Sequence, residues 1–247
     1  MGIIKSILIS TFLTIPLIVE GQSVQKIHGH EYVDLGLSVL WANCNIGSNS
    51  PEEYGDYFAW GETYTKSCYN KMTYKFAGET LGETIFPTID AQIKALFDFT
   101  KYLGEENKQN PNDVRLDITD DVANVQWGNP WRMPTMIEIS ELIDSCNWVL
   151  DEIKGIKGYW AVSKVNGNNI FFPLGGYIND DVFEDVGKSG KYWASDLRPD
   201  MCFEAYQIWM SSEEDSSKIE KGASVILSDD GFRENGRNVR AVCDKKN

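Results

Sequence analysis

The chain has 247 residues, of which 42% are hydrophobic and 12% aromatic, and its formal net charge is −14. This composition supplies enough apolar side chains for a packed core and excludes a wholly disordered chain. The acidity argues against a nucleic-acid binder, because such a protein needs a basic face that displaces counterions from phosphates.

The first 21 residues have the organisation of a secretory signal peptide. Lys5 supplies the positive start, residues 7–19 form an apolar run interrupted by Pro16, and cleavage is expected before Gln22. The run is shorter than the ~20 residues that a membrane-spanning helix needs. We therefore expect an extracytoplasmic protein (secreted, periplasmic or at the cell surface) with no membrane span after cleavage.

The mature chain begins with two short β-type runs on either side of Gly36, as in a hairpin or a kinked strand. The only histidines, His28 and His30, have the spacing of a metal pair on a strand, although an exposed pair is the commoner outcome. A short aromatic strand follows at residues 56–62, and we expect its Phe58 and Trp60 to lie in the core rather than to form a sugar platform.

A helix is predicted over residues 89–103, where apolar side chains recur at helical spacing. Three acids then precede the central motif, namely Asp117, Asp120 and Asp121. Clustered carboxylates of this kind can bind calcium. Asp120 or Asp121 could equally cap a helical turn that runs through Ala123.

The central motif is an aromatic-rich turn over residues 127–135, followed by an amphipathic helix over residues 136–146. Thr135 and Glu138 have capping-box spacing, in which each side chain accepts from the backbone amide of the other residue. Pro134 keeps the chain extended before the cap.

Short strands separated by turns dominate the C-terminal half. Asn166-Gly167 is a hairpin signal between two β-type runs. Further strands are expected at residues 191–195, 205–210, 223–228 and 238–243. We find no repeat and no linker, so the fold class is α+β, with one domain over residues 22–247.

The five cysteines of this exported chain permit disulfides, and the odd count leaves one thiol over. No CxxC, GxSxG, HExxH or GxGxxG motif is present, and the phosphate-loop pattern that would end at Ser189 has Val182 in place of its first glycine. A glycosidase-type carboxylate pair remains open, because it needs only two acids across a cleft. We expect a protein that is not an enzyme.

Seven segments together resemble the Fibrobacter succinogenes major paralogous domain, a family abundant in secreted and surface proteins of gut Bacteroidetes. They are residues 30–37 (HEYVDLGL), 40–47 (LWANCNIG), 51–63 (PEEYGDYFAWGET), 121–135 (DVANVQWGNPWRMPT), 169–177 (NIFFPLGGY), 190–195 (GKYWAS) and 239–243 (VRAVC). The resemblance implies a C-type-lectin-like fold, distantly similar to formylglycine-generating enzymes, with small twisted antiparallel sheets, two packed helices and long loops. It implies no activity, and the cysteine pair of those enzymes does not map onto this chain.

Within that fold the motif residues are expected to build the core and anchor the loops. They are Trp60, Trp127, Trp131, Arg132, Pro134, Thr135 and Glu138. Arg132 is expected to be a buried or half-buried salt-bridge partner rather than a ligand clamp.

A binding face is expected in the long loops, because a fixed scaffold tolerates variation there. The candidate ligand-binding residues are Tyr177, Asp180, Asp181, Trp193 and Asp196. The resulting hypothesis is a recognition or adhesion module for a glycan or surface protein, with calcium as a possible cofactor. The alternatives are a structural subunit of a surface assembly and a carboxylate-based glycoside hydrolase.

Overall fold

A computed structural model of the chain describes residues 25–79, 88–106, 114–212 and 224–245. The predicted signal peptide lies outside these residues. In chain order the strands are β1 Gln25–Ile27, β2 His30–Val33, β3 Val39–Ala42, β4 Cys146–Ile153, β5 Ile156–Ser163, β6 Asn169–Pro173, β7 Tyr177–Asn179, β8 Val182–Glu184, β9 Ser189–Leu197, β10 Glu204–Ser211, β11 Val225–Phe232 and β12 Val242–Asp244. The α-helices are α1 Ile89–Leu96, α2 Val122–Trp127 and α3 Met136–Ser145.

The strands form small antiparallel sheets, so the predicted α+β class is confirmed. Their orders are β1-β2-β3-β12, β11-β10-β9, β4-β5-β6 and the hairpin β7-β8. The first of these joins the two ends of the described chain, because β12 pairs with β3. No helix within the described ranges is long and apolar enough to cross a membrane.

The β9–β11 sheet lies between two hydrophobic cores, because its side chains alternate between its faces. Tyr192, Ile208 and Met210 pack with the α3 residues Ile139 and Leu142 in one core. Trp193 and the start of β10 belong to the other, which also contains Phe58 and Trp60. Phe58 and Trp60 are 1% and 0% exposed, so the prediction that they are core residues is confirmed.

Helix α3 begins as the sequence predicts. The Thr135 hydroxyl accepts a hydrogen bond from the Glu138 amide at 3.2 Å, and Glu138 accepts one from the Thr135 amide at 2.8 Å. The helix ends at Ser145, one residue before the predicted end, and Cys146 begins β4, a strand that the sequence pattern does not predict.

Helix α1 is shorter than predicted, since it covers only the first half of residues 89–103. It ends at Leu96, where the Lys71 ammonium donates to the last carbonyl oxygens of the helix. Phe99 then pairs with Ala77 in an isolated β-bridge, and Phe99 and Tyr102 are buried in the core. The apolar spacing beyond residue 96 therefore arises from core contacts of an extended segment.

The hairpin signal at Asn166-Gly167 is confirmed, since it lies between the antiparallel strands β5 and β6. Of the strand predicted over residues 238–243, only Val242 and Cys243 belong to β12. Asn238 instead pairs with Tyr192 in an isolated parallel bridge.

Candidate functional site

The central motif is held together by its charged residues. Arg132 is bidentate on the Glu138 carboxylate, with nitrogen–oxygen distances of 2.8 and 2.6 Å, and also contacts Asp244 at 2.7 Å. Burial raises the pKa of Glu138, but the Arg132 guanidinium and the Thr135 amide more than offset this, so its pKa is lowered overall. The half-buried salt bridge expected for Arg132 is thus present.

The remaining motif residues also serve the fold. Trp60 and Trp131 are completely buried and Trp127 is 8% exposed. Trp131 donates its ring N–H to the Ile27 carbonyl oxygen at 3.0 Å, and the Pro134 carbonyl oxygen accepts from the Ser195 amide. These contacts tie the motif to the N-terminal strands and to β9.

The two histidines lie beside this motif. His30 stacks on Trp127 with a distance of 3.8 Å between the ring centroids, and it is half-buried. The expectation of an exposed histidine pair is therefore wrong for His30. His28 remains exposed, and one of its ring nitrogens lies 3.4 Å from the Trp127 carbonyl oxygen. The pair therefore contacts the aromatic turn.

The three acids proposed as calcium ligands have other partners. Asp120 is 5% exposed and contacts the ammonium groups of Lys75 and Lys101 and the Tyr102 hydroxyl. Asp117 pairs with Lys101. A calcium ion would have to displace these contacts, and within the described residues no group of three His, Cys, Asp or Glu side chains could hold a metal.

Asp121, the third of these acids, caps α2. It accepts hydrogen bonds from the amides of Ala123 and Asn124 with one oxygen and from the Met133 amide with the other. The capping alternative is therefore the observed one.

Two of the predicted ligand-binding residues are buried in the fold. Trp193 is completely buried and donates its ring N–H to the Phe58 carbonyl oxygen at 2.8 Å. Asp196 is 5% exposed, pairs with Arg115 and accepts from the Met136 amide at the start of α3. Neither side chain is placed to meet a ligand from solvent.

The other three predicted ligand-binding residues lie together on the β7–β8 hairpin. Asp180 has a positive φ of 56° at the turn, and its carboxylate accepts from the Asn70 amide group at 2.7 Å. Asp181 is exposed beside it. Tyr177 is half-buried and donates its hydroxyl to Glu184 at 2.6 Å, and burial together with that carboxylate raises the pKa of Tyr177 to about 12.

Tyr177 also borders a partly open surface of the β9–β11 sheet. On the face turned away from α3, Lys191 of β9 is opposite Trp209 of β10, which is opposite Ile226 of β11, and all three are half-buried. The Lys191 ammonium lies 3.8 Å from the ring centroid of Tyr177 and 6.0 Å from that of Trp209.

The next residues along the same face are polar and more deeply buried. Gln207 is 1% exposed and accepts a hydrogen bond from the Arg237 guanidinium at 2.7 Å. Its amide group donates to Asp230 at 3.1 Å and to the Ser228 hydroxyl at 3.3 Å. The Arg237 guanidinium lies 4.1 Å over the Trp193 ring.

We call this surface the open face and define it by the half-buried Tyr177, Lys191 and Trp209 and the exposed Asp230. Gln207 and Arg237 are buried beneath it. Half-buried rings beside fixed polar groups form the kind of surface that binds a ligand with both apolar and polar sides. Of these residues, only Tyr177 is predicted from the sequence to bind a ligand. The sequence signal for the others is Gln207, a polar residue within the apolar strand pattern of residues 205–210.

The structure contains none of the disulfides that an exported chain permits. All five are free, and four of them are buried. No pair lies close enough to bond in this structure.

No family model, no curated protein and no solved structure matches the chain.

Proposed function

We propose that the protein is an exported, non-enzymatic recognition module that binds a glycan on its open face. One observation carries this proposal: the rings of Trp209 and Tyr177 lie beside the Lys191 ammonium. The hydrogen-bonded pair Gln207 and Arg237 lies next to them. Aromatic rings offer an apolar face to the C–H groups of a sugar, and fixed polar side chains can orient its hydroxyl groups.

The C-type-lectin-like fold and membership of the Fibrobacter succinogenes major domain family belong to the same proposal. They are supported by the sequence segments given above and by the small antiparallel sheets with short helices. Export is supported by the signal-like N-terminus. Calcium plays no part in the proposed binding, because the carboxylates considered as its ligands contact lysines and backbone amides.

The proposal is tested by binding the protein from Gln22 onward to a glycan array, with calcium and again with chelator. We expect chelator-independent binding that weakens at least about tenfold in Trp209→Ala, since stacking on an aromatic ring contributes about 1 kcal/mol beyond buried area. Trp160→Ala is the matched control, because Trp160 is a half-buried tryptophan on the β4–β6 sheet.

Other outcomes separate the alternatives. A blank array under both conditions contradicts glycan recognition and favours a protein partner or an assembly role. Binding that disappears with chelator restores the calcium hypothesis. Cleavage of a bound glycan contradicts the non-enzymatic part of the proposal and favours a carboxylate hydrolase, for which the candidate acids are Asp230 of the open face and Glu184, the hydrogen-bond partner of Tyr177.

A further inference from the structure

Strand β4 is an edge strand of the β4–β6 sheet. Among the described residues it pairs only with β5, and the pairing runs along the whole strand without a register shift. Proteins usually protect an edge of this length with a bulge, a proline or a covering segment, because its outer backbone groups can bind another strand. Strand β4 has no proline and no bulge, and its middle residues Val149 and Leu150 are 50% and 44% exposed.

The hairpin geometry determines which backbone groups of β4 point outward. The two-residue turn at 154–155 is closed by Ile153 and Ile156, a pair that exchanges both of its backbone hydrogen bonds. Bonded and non-bonded pairs alternate along antiparallel strands, so the odd-numbered residues of β4 bond to β5 and the even-numbered residues point away from it. The Glu152 amide agrees with this assignment, because it donates to the Asp151 carboxylate instead of to β5.

The backbone N–H and C=O groups of Trp148 and Leu150 therefore face away from β5. Within the described ranges, no backbone group of another segment bonds to these two residues. Trp148 is half-buried, and Val149 and Leu150 are exposed on opposite faces of the sheet. The middle of β4 thus offers outward donors and acceptors together with an exposed apolar side chain on each face, which is what an added strand requires.

The sequence of β4 is complementary to a second copy of itself. In an antiparallel pair with a two-fold axis at Val149, Val149 is opposite its own copy and Leu150 is opposite Trp148. Asp151 is then opposite Asn147, whose amide can donate to a carboxylate, and no like charges face each other. The outward backbone groups of Trp148 and Leu150 are the ones that exchange hydrogen bonds in this register.

The neighbouring registers are less favourable. An axis at Leu150 places Val149 opposite Asp151, and an axis at Trp148 places Val149 opposite Asn147. An axis at Asp151 brings two carboxylates together. Of these registers, only the one with its axis at Val149 gives both exposed apolar residues of β4 an apolar partner.

We infer that the protein forms a homodimer in which two β4 strands pair antiparallel about Val149 and join the two three-stranded sheets into one continuous sheet. The inference is independent of the proposed glycan site, because β4 and the open face belong to different sheets. A contact made by one pair of strands is at the small end of protein interfaces, below about 1,200 Å², so we expect a weak dimer with a dissociation constant on the order of 100 µM.

The first test is sedimentation equilibrium of the protein from Gln22 onward, between about 10 µM and 1 mM, in about 0.15 M salt, which screens the repulsion between two acidic chains. We expect the mass to rise reversibly towards that of a dimer. Val149→Lys and Val149→Glu should each raise the dissociation constant at least about tenfold, because like charges then face each other across the axis. An equimolar mixture of the two variants should dimerise more tightly than either alone. Val165→Lys is the matched control, because Val165 is an exposed valine outside β4.

A cysteine at the axis tests the register. The Cα atoms of a non-hydrogen-bonded antiparallel pair are about 4.5 Å apart, which a disulfide can span. Val149→Cys should therefore form a covalent dimer with oxidised glutathione. Leu150→Cys should not, because its position is opposite Trp148, and neither should the unmodified protein, whose Cys68 is half-buried. A circular dichroism spectrum and melting curve verify that each variant is folded.

The outcomes are distinct from those of the glycan experiment. A constant monomer mass at every concentration overturns the homodimer and leaves the β4 edge to a strand of a different protein. A dimer that is unaffected by Val149→Lys, or weakened equally by Val165→Lys, also overturns it, since another surface would then form the contact. Cross-linking of Leu150→Cys but not of Val149→Cys overturns the proposed axis.

Discussion

Glu138 combines two roles in one carboxylate. It closes the capping box of α3 through the Thr135 amide and holds both terminal nitrogens of Arg132. Because its side chain is largely buried, removing the charge leaves Arg132 with an incomplete set of acceptors. We predict that Glu138→Gln lowers the free energy of unfolding by about 2 kcal/mol, measured by urea denaturation.

The control for this variant is Asp144→Asn, which removes one charge from an exposed position of the same helix. A surface change of this kind is expected to alter stability by less than about 0.5 kcal/mol. Equal stability of the Glu138→Gln variant and the unmodified protein would contradict the structural role assigned to the Arg132–Glu138 pair.

The same carboxylate predicts a pH dependence. Its folded-state pKa lies below the usual 4.5, because the Arg132 guanidinium and the Thr135 amide outweigh the effect of burial. Its contribution to stability is therefore complete above pH 4.5 and is lost as the pH falls through the folded-state pKa. Unfolding curves between pH 6 and pH 3 should show a smaller loss of stability in Glu138→Gln than in the unmodified protein. Parallel curves would contradict this assignment.

At the scale of single residues, the sequence predicts contacts between residues that are close together in the chain. The pair Thr135 and Glu138 is three residues apart, and its geometry follows from helix capping alone. Trp193 lies in a strand that the sequence predicts, but its burial depends on contact with Phe58, far away in the chain. The same is true of Arg237, whose partner Gln207 belongs to another strand.

At the scale of elements, the spacing of apolar residues predicts a helix or strand correctly only where one face of that element is buried. Strand β4 was missed because most of its side chains are exposed and its Val149 and Leu150 are consecutive, without the alternation of a half-buried strand. The sequence predicts helix α1 too long, because Phe97, Phe99 and Leu103 continue its apolar spacing beyond Leu96. The deciding interaction of β4 is its hairpin pairing with β5, and that of the segment after α1 is the contact of Phe99 with Ala77.

The β4–β5 hairpin offers a test that does not involve packing. Its turn places Lys154 and Gly155 at φ of 50° and 87°, and nothing lies within 4 Å of a Cβ atom added to Gly155. The cost of Gly155→Ala is therefore conformational, and we predict a loss of about 1 kcal/mol in the free energy of unfolding. Lys157→Ala on the neighbouring strand is the control. An unchanged urea midpoint in Gly155→Ala would contradict the left-handed turn.

For the molecule as a whole, the α+β class followed from strand spacing and the motif helix, but the topology did not. The pairing of β12 with β3 joins segments about two hundred residues apart, and no local pattern encodes such a partner choice. The same holds for the open face, because its residues come from β7, β9, β10 and β11 and meet only after these strands have assembled. In the sequence, only the polar Gln207 within an apolar strand marks this surface.

The cysteines provide the last prediction, because they bear on how the whole fold is stabilised. Cys44, Cys146, Cys202 and Cys243 are buried, and burial raises the pKa of both Cys146 and Cys243 to about 11. A protonated, buried thiol reacts slowly, so dithionitrobenzoate at pH 8 should label about one thiol, the half-buried Cys68, in the folded protein.

After unfolding in guanidinium without reductant, all five thiols should react, and the melting temperature of the folded protein should be the same with and without reductant. Finding only one reactive thiol after unfolding would show two disulfides, and would mean that the mature protein reaches a cross-linked state different from the one described. Finding five means that stability comes from the two cores and their buried polar contacts, even though the chain is predicted to be exported to a compartment where disulfides form.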